Sequence, residues 1–135
     1  MKIFLGPAGT PAASTLEGLH TIKELGLEAM EVEFTHGIKM GLQLAKKIGD
    51  ENKKFDISLS VHAPYFINLA SEEKKKIDES RKRIIDSCER AALMGAKVVV
   101  FHPGFYNLGD KTFDTIENEI SEIKSYVDKK RWNVE

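Results

Sequence analysis

Four short runs of strand-forming residues, spaced by stretches of helical period, constrain what this chain can fold into. The runs are Lys2–Gly6, Met30–Phe34, Asp56–Val61 and Lys97–Phe101. They are rich in Val, Ile, Leu and Phe, which suit a pleated surface. Between them the apolar residues recur every three or four positions. Ser14 to Leu25 opens with a Ser14-x-x-Glu17 capping box and stops at Gly26, with Leu16, Leu19, Ile22 and Leu25 near one face. Lys39 to Ile48, ending at Gly49, predicts a second helix. Ser71 is placed to cap a third, with Glu72 and Glu73 in its first turn and Gly95 at its end. Its apolar positions are Ile77, Ile84, Ile85, Cys88, Ala91 and Ala92. Thr112 to Lys130 predicts a fourth, through Phe113, Ile116, Ile120, Ile123 and Val127.

The order β-α-β-α-β-α-β-α, followed by Arg131–Glu135 as the start of a fifth strand, argues a parallel sheet with helices outside. Strand ends fall near residues 5, 33, 61 and 101, a spacing of about 32 residues, and an eight-unit barrel needs about 31 per unit. The expectation is an α/β fold of the (β/α)8 TIM-barrel class. About half of the barrel is present: four βα units and the start of a fifth strand, with residues 1–135 as the N-terminal half of one domain.

The 135 residues carry 20 basic and 21 acidic side chains, a net charge of −1. Overall charge therefore does not announce nucleic-acid binding, and any basic patch has to be local. No apolar run approaches a membrane span, and the N-terminus is too short in apolar residues for a signal peptide. The single cysteine, Cys88, has no internal partner, which agrees with a reducing, cytoplasmic location.

The third and fourth runs end alike. "ISLSVHAPYFINLAS" and "KVVVFHPGFYN" each break at a histidine followed by proline within two residues. Side chains alternate along a strand. Leu59 and Val61 therefore face one way, toward the helices, and Ser58, Ser60 and His62 face the barrel axis. The same parity groups Val98, Val100 and His102. Both histidines then stand at the C-terminal rim of adjacent strands, where barrels carry their chemistry. Adjacent strands lie about 4.8 Å apart, so two imidazoles there can share one metal ion. Glu31 and Glu33 share a face on the second run. Glu33, nearer the rim, is a candidate to ligate metal, orient a ligand histidine from behind, or form an ion pair. His36, in the loop "FTHG", is placed to touch substrate. Tyr65 and Phe66 follow His62, and Phe105 and Tyr106 follow His102. On a rim loop such rings can stack on a base or sugar, wedge into a duplex, or fold back onto the rim.

At "SLSVHAPYFINLAS", "VVVFHPG" and the helix between them, the sequence resembles the N-terminal half of the endonuclease IV family of apurinic/apyrimidinic endonucleases. The resemblance implies a barrel of the xylose-isomerase-like type with up to three zinc ions. It implies hydrolysis of the phosphodiester 5′ to abasic sites in DNA. By it His62 and His102 match zinc ligands, and Tyr65 matches an aromatic that enters DNA at the lesion. His36 stands as a further DNA contact, in a loop without the basic residues the family commonly carries there. The loop "GPAGTP" also departs from the family's His-Val-Ser. The remaining ligands of the family lie on the fifth and later strands, so this stretch alone is expected to be inactive. Its partners are expected to be abasic DNA and either the C-terminal half-barrel or a second copy. The alternative is a metal-dependent sugar isomerase or epimerase on the same barrel. A third reading is a half-barrel that folds or dimerises without the complete metal cluster.

Overall fold

The computed structural model describes residues 2–106 and 108–135. Helix α1 spans Thr15–Glu24, strand β1 Ala29–Glu33, α2 Leu42–Phe55, β2 Ser58–His62, α3 Lys74–Met94, β3 Val98–Val100 and α4 Thr112–Lys129, with a short 3-10 turn at Gly109–Lys111 before α4. The three strands form a parallel sheet in the order β1-β2-β3. Two extended segments continue it. Glu28 and Ala29 both donate their N–H to the Leu5 carbonyl, Glu31 donates to Pro7, and Gly9 donates back to Glu31. On the other edge Glu135 donates to Lys97 at 2.7 Å, and Val99 donates to Glu135 at 2.8 Å. Three regular strands, a first segment bonded along β1, four helices and the first rung of a further strand are therefore in place, consistent with half of a (β/α)8 barrel.

The first run is extended but forms no regular strand. Pro7 lacks the N–H that a continuing ladder needs, and only an isolated bridge joins Ala8 to Glu31. Helix α1 starts as expected, with the Ser14 hydroxyl accepting from Glu17 N–H at 3.2 Å. Leu25, however, is exposed at the C-cap. Helix α2 begins three residues later than the spacing predicts and runs through Gly49 to Phe55. Gly49 is no stop but a contact. A Cβ built there would lie 2.1 Å from the Leu93 carbonyl oxygen, so its hydrogen lets α2 lie against the end of α3. Asn52, buried, closes the turn into β2: its amide donates to the Ile57 carbonyl at 2.8 Å and accepts from Ile57 N–H at 3.1 Å. Between them Asp56 takes the left-handed conformation, φ 55°, which short polar side chains tolerate. Helix α3 starts at Lys74, with Glu73 as its N-cap. Ser71 and the two glutamates therefore precede the helix, and the Ser71 hydroxyl accepts from Glu73 N–H in a local turn.

Met30, Val32, Leu59, Val61 and Val99 form the buried face of the sheet. They pack under Leu19, Ile22, Ala45, Ile48, Ile84, Cys88, Ala91, Met94, Ile123 and Val127 from the helices. Arg81 ties α3 to α4 through Glu119 and, at 2.6 Å, Glu122. The hydrogen bond to Glu119 holds the guanidinium above its ordinary range. On the opposite face Val98 and Val100 are each 42% exposed, and Ile3 and Leu5 stand open at the other edge. This is the surface that a closed barrel buries. Phe113 and Ile120 on α4 are also exposed, because α4 packs on α3 along only part of its apolar stripe.

Two outcomes follow. Gly49→Ala forces a methyl into the Leu93 carbonyl and should cost about 1–3 kcal/mol, read as a lower midpoint in thermal or urea unfolding. Burial pushes the Cys88 thiol up to about 11. The folded protein should resist alkylation near pH 8 and react only on unfolding. The sign of the linkage is that the unfolded thiol ionises first, at about 8.5. Cys88 therefore favours the folded state below that pH, and the contribution is lost as pH rises toward 11.

Candidate functional site

His62 is the last residue of β2, held by pairing on both sides. Its carbonyl accepts from Phe34 N–H at 2.8 Å, and the next residue, Ala63, donates to Val100 at 2.9 Å. His102 stands two residues past the end of β3. The strand parity brings the two imidazoles together, with centroids 5.4 Å apart and planes at 44°. The Tyr65 ring completes the cluster, stacked on His102 at 5.6 Å and 20°, and 5.9 Å from His62.

The loop that carries Tyr65 is anchored on either side of the ring. Pro64 before it and Ile67 and Leu69 after it are buried. Tyr65 N–H donates to Thr35 at 3.3 Å, and Ile67 N–H donates to the Tyr65 carbonyl. The Ser80 hydroxyl, from α3, accepts from Asn68 N–H at 2.9 Å. Leu69 N–H donates to the Pro103 carbonyl at 2.8 Å, joining the two histidine loops. Backbone fixed in this way leaves Tyr65 54% and Phe66 71% exposed. Tyr65, Phe66, His102 and Phe105, with Lys76 and Arg83 of α3, line a groove of about 820 Å³. The two basic residues of this groove are invisible to motif reading, because on the sequence they look like any solvated helix face.

Gly104 lets the loops meet. Its φ is +142°, and a Cβ there would lie 2.5 Å from Asn68 Oδ1 and 3.2 Å from the Asn68 Cα.

The electrostatic partner of His62 is Glu31. Glu31 Oε1 lies 3.6 Å from His62 Nδ1, with both side chains largely shielded from solvent. Glu33, paired with His62 in register, is exposed and turns its carboxylate toward Gly9. His36 is exposed in the turn after β1. The periodicity that marked Glu33 marked Glu31 equally, since both lie on the same face of the strand. Which of them reaches the histidine depends on rotamers that the pattern does not encode.

His62 Nε2 is buried with no hydrogen-bond partner among the described residues. An orphaned buried polar atom costs about 1–3 kcal/mol, so its persistence needs a reason. A neutral imidazole with a bare nitrogen is what a divalent cation such as zinc takes as ligand. A second imidazole beside it and a carboxylate behind it fit that chemistry. Among the described residues no group of three or more His, Cys, Asp or Glu side chains converges closely enough to hold a metal. The donors here are two imidazoles and one carboxylate.

The profile of the xylose isomerase-like TIM barrel family matches residues 19–134. An uncharacterized protein of Methanocaldococcus jannaschii is 35% identical over 99% of this chain and 50% of its own length. A probable endonuclease 4 of Metamycoplasma arthritidis is 43% identical over 47 residues, 35% of this chain and 16% of the relative. Among solved structures, a D-tagatose 3-epimerase-like protein superposes with a TM-score of 0.72 at 22% identity, covering 91% of this chain and 48% of that one. Endonuclease IV from Thermus thermophilus superposes with 0.66 at 20% identity, covering 82% and 41%. The chain thus spans about half the length, or less, of these relatives.

Gly104→Ala should push Asn68 away and loosen the joint between the histidine loops. The expected result is a lower unfolding midpoint together with displaced ring signals of His102 and Tyr65 in proton NMR. Unmoved rings would mean that the loops are positioned without this contact.

Proposed function

Since the chain belongs to the xylose isomerase-like TIM barrel family, we propose that it forms the N-terminal half of a zinc-dependent apurinic/apyrimidinic endonuclease acting in the cytoplasm on DNA with abasic sites. The observation that carries this reading is the convergence of His62, His102 and Tyr65 at the C-terminal rim. The local identity to a probable endonuclease 4 supports it.

In this reading His62, through its bare Nε2, and His102 hold zinc. Zinc held there would supply Lewis-acid polarisation of a phosphodiester and a lowered pKa for an attacking water. The remaining work of this half is positioning. Tyr65, exposed on an anchored backbone, fills the gap left by a missing base by stacking on the neighbouring bases. His36, in the turn beside it, contacts the DNA. The exposed inner face, with Ser58, Ser60, Val98 and Val100, takes either a C-terminal half-barrel or a second copy, and that partner supplies the other ligands. Until then the half is inactive.

A metal-dependent sugar epimerase is the second reading. Two carboxylates on the inner face of β1, Glu31 and Glu33, favour it, because epimerisation needs groups that move a proton.

The test uses protein expressed from its own reading frame, loaded with zinc and offered a duplex with one abasic site. Tyr65→Ala should weaken binding by about 1–3 kcal/mol, the scale of one lost stacking contact, with zinc content unchanged. His62→Ala should lose zinc, and cleavage with it. Equal zinc loss in both variants, or unchanged DNA binding in Tyr65→Ala, would overturn the role of Tyr65. Ketohexose epimerisation without nicking would establish the second reading.

A further inference from the structure

We infer that Glu31 is a positioning residue for His62. It holds the imidazole proton on Nδ1 and so keeps the buried Nε2 as a bare lone pair. The inference rests on the proposed metal site only for what Nε2 is used for. The tautomer itself follows from the contacts of this chain.

Neutral histidine carries one ring proton, and the partner of one nitrogen decides which tautomer is present. Glu31 Oε1 stands 3.6 Å from Nδ1. A carboxylate only accepts, so the proton on that side is stabilised and a lone pair there is repelled. The separation is beyond a direct hydrogen bond, but it is a charge contact between two shielded groups. Nε2, on the far side of the ring, is buried and meets no donor or acceptor. A proton on Nε2 would leave a buried donor unsatisfied and a lone pair facing a carboxylate, which is unfavourable at both nitrogens. With the proton on Nδ1, that N–H faces a carboxylate, and the buried atom left without a partner is an acceptor, which a cation can use.

The backbone makes the arrangement rigid. Glu31 is pinned between two segments of the chain. Its N–H donates to Pro7, its carbonyl accepts from Gly9, and it sits opposite Ser60 in register. Its side chain therefore reaches diagonally along the inner face to the rim residue of β2, while Glu33, directly opposite His62, leans the other way toward Gly9. Ligand histidines commonly carry such a carboxylate on the other nitrogen, and its loss typically lowers metal affinity about 10–100-fold.

Nitrogen-15 NMR of the metal-free chain near pH 8, above the ordinary imidazole range of about 6.5, reads the tautomer directly. The ring signals of His62 are assigned by comparison with His62→Ala. The expected result is Nδ1–H in the unaltered chain and a shift toward Nε2–H in Glu31→Ala. Glu31→Gln, isosteric and still able to present an oxygen, should retain much of the Nδ1–H form. It keeps the test decisive if the alanine variant folds poorly by circular dichroism. In zinc titrations Glu31→Ala should bind about 10–100-fold more weakly. An Nε2–H tautomer in the unaltered chain, or a tautomer indifferent to Glu31→Ala, would overturn the inference. So would a shift produced by Glu33→Ala instead. The NMR arm needs neither zinc nor DNA. A protein that never cleaves abasic DNA but loses its tautomer with Glu31 would refute the proposed function and leave this inference standing.

Discussion

Strand β2 is paired on both sides, and the other elements take their positions from it. Its backbone is bonded to β1 along five residues and to β3 along three. Its alternation sends Leu59 and Val61 into the helix layer and Ser60 and His62 to the inner face. A slip of one residue would exchange the two sets and put the histidine in the apolar core. The register is thus protected by burial: Val61 and Leu59 are almost wholly removed from water, and a one-residue slip would turn them out of the helix layer.

The same rigidity gives the rim its chemistry. His62 does not sit on a mobile loop; it is the final rung of a ladder whose neighbours, Phe34 and Ala63, are bonded across to adjacent backbone. The loop beyond it is fastened at Ser80, at Pro103 and by buried Ile67 and Leu69. Ordering a loop costs conformational entropy, and here burial of its alternate residues offsets that cost. The rings left outside, Tyr65 and Phe66, are held out by the packing of their neighbours. Exposed aromatics on a fixed backbone are suited to binding, since little freedom remains to be lost when a ligand arrives.

The uncovered inner face ties stability to function. Val98 and Val100 are left open to water, and in the proposed reading His62 and His102 need further ligands to hold zinc. Whatever covers the valines therefore also stands closest to His62 and His102. In the proposed reading, closure of the sheet and completion of the site are one event.

Much of this was legible in the residue order. Alternating periods of two and about 3.6 residues dictated a parallel α/β half-barrel, and strand parity put His62 and His102 on one face, because both signals are local and repeat. Where a residue's role depended on a distant neighbour, the pattern misled. Gly49 has the pattern of a helix stop, yet α2 runs through it and the Leu93 carbonyl lies against it. Ser71 has the residue type of a cap, although α3 begins only at Lys74 with Glu73 in the cap position. The first apolar run read as a strand although Pro7 interrupts its ladder. The choice between Glu31 and Glu33 was likewise beyond the sequence, since both have the same parity and differ only in where their side chains find room. Period and composition determine which face a residue occupies. Only the packed structure decides what it meets there, because contacts between residues far apart in sequence form when the chain folds and leave no repeat behind.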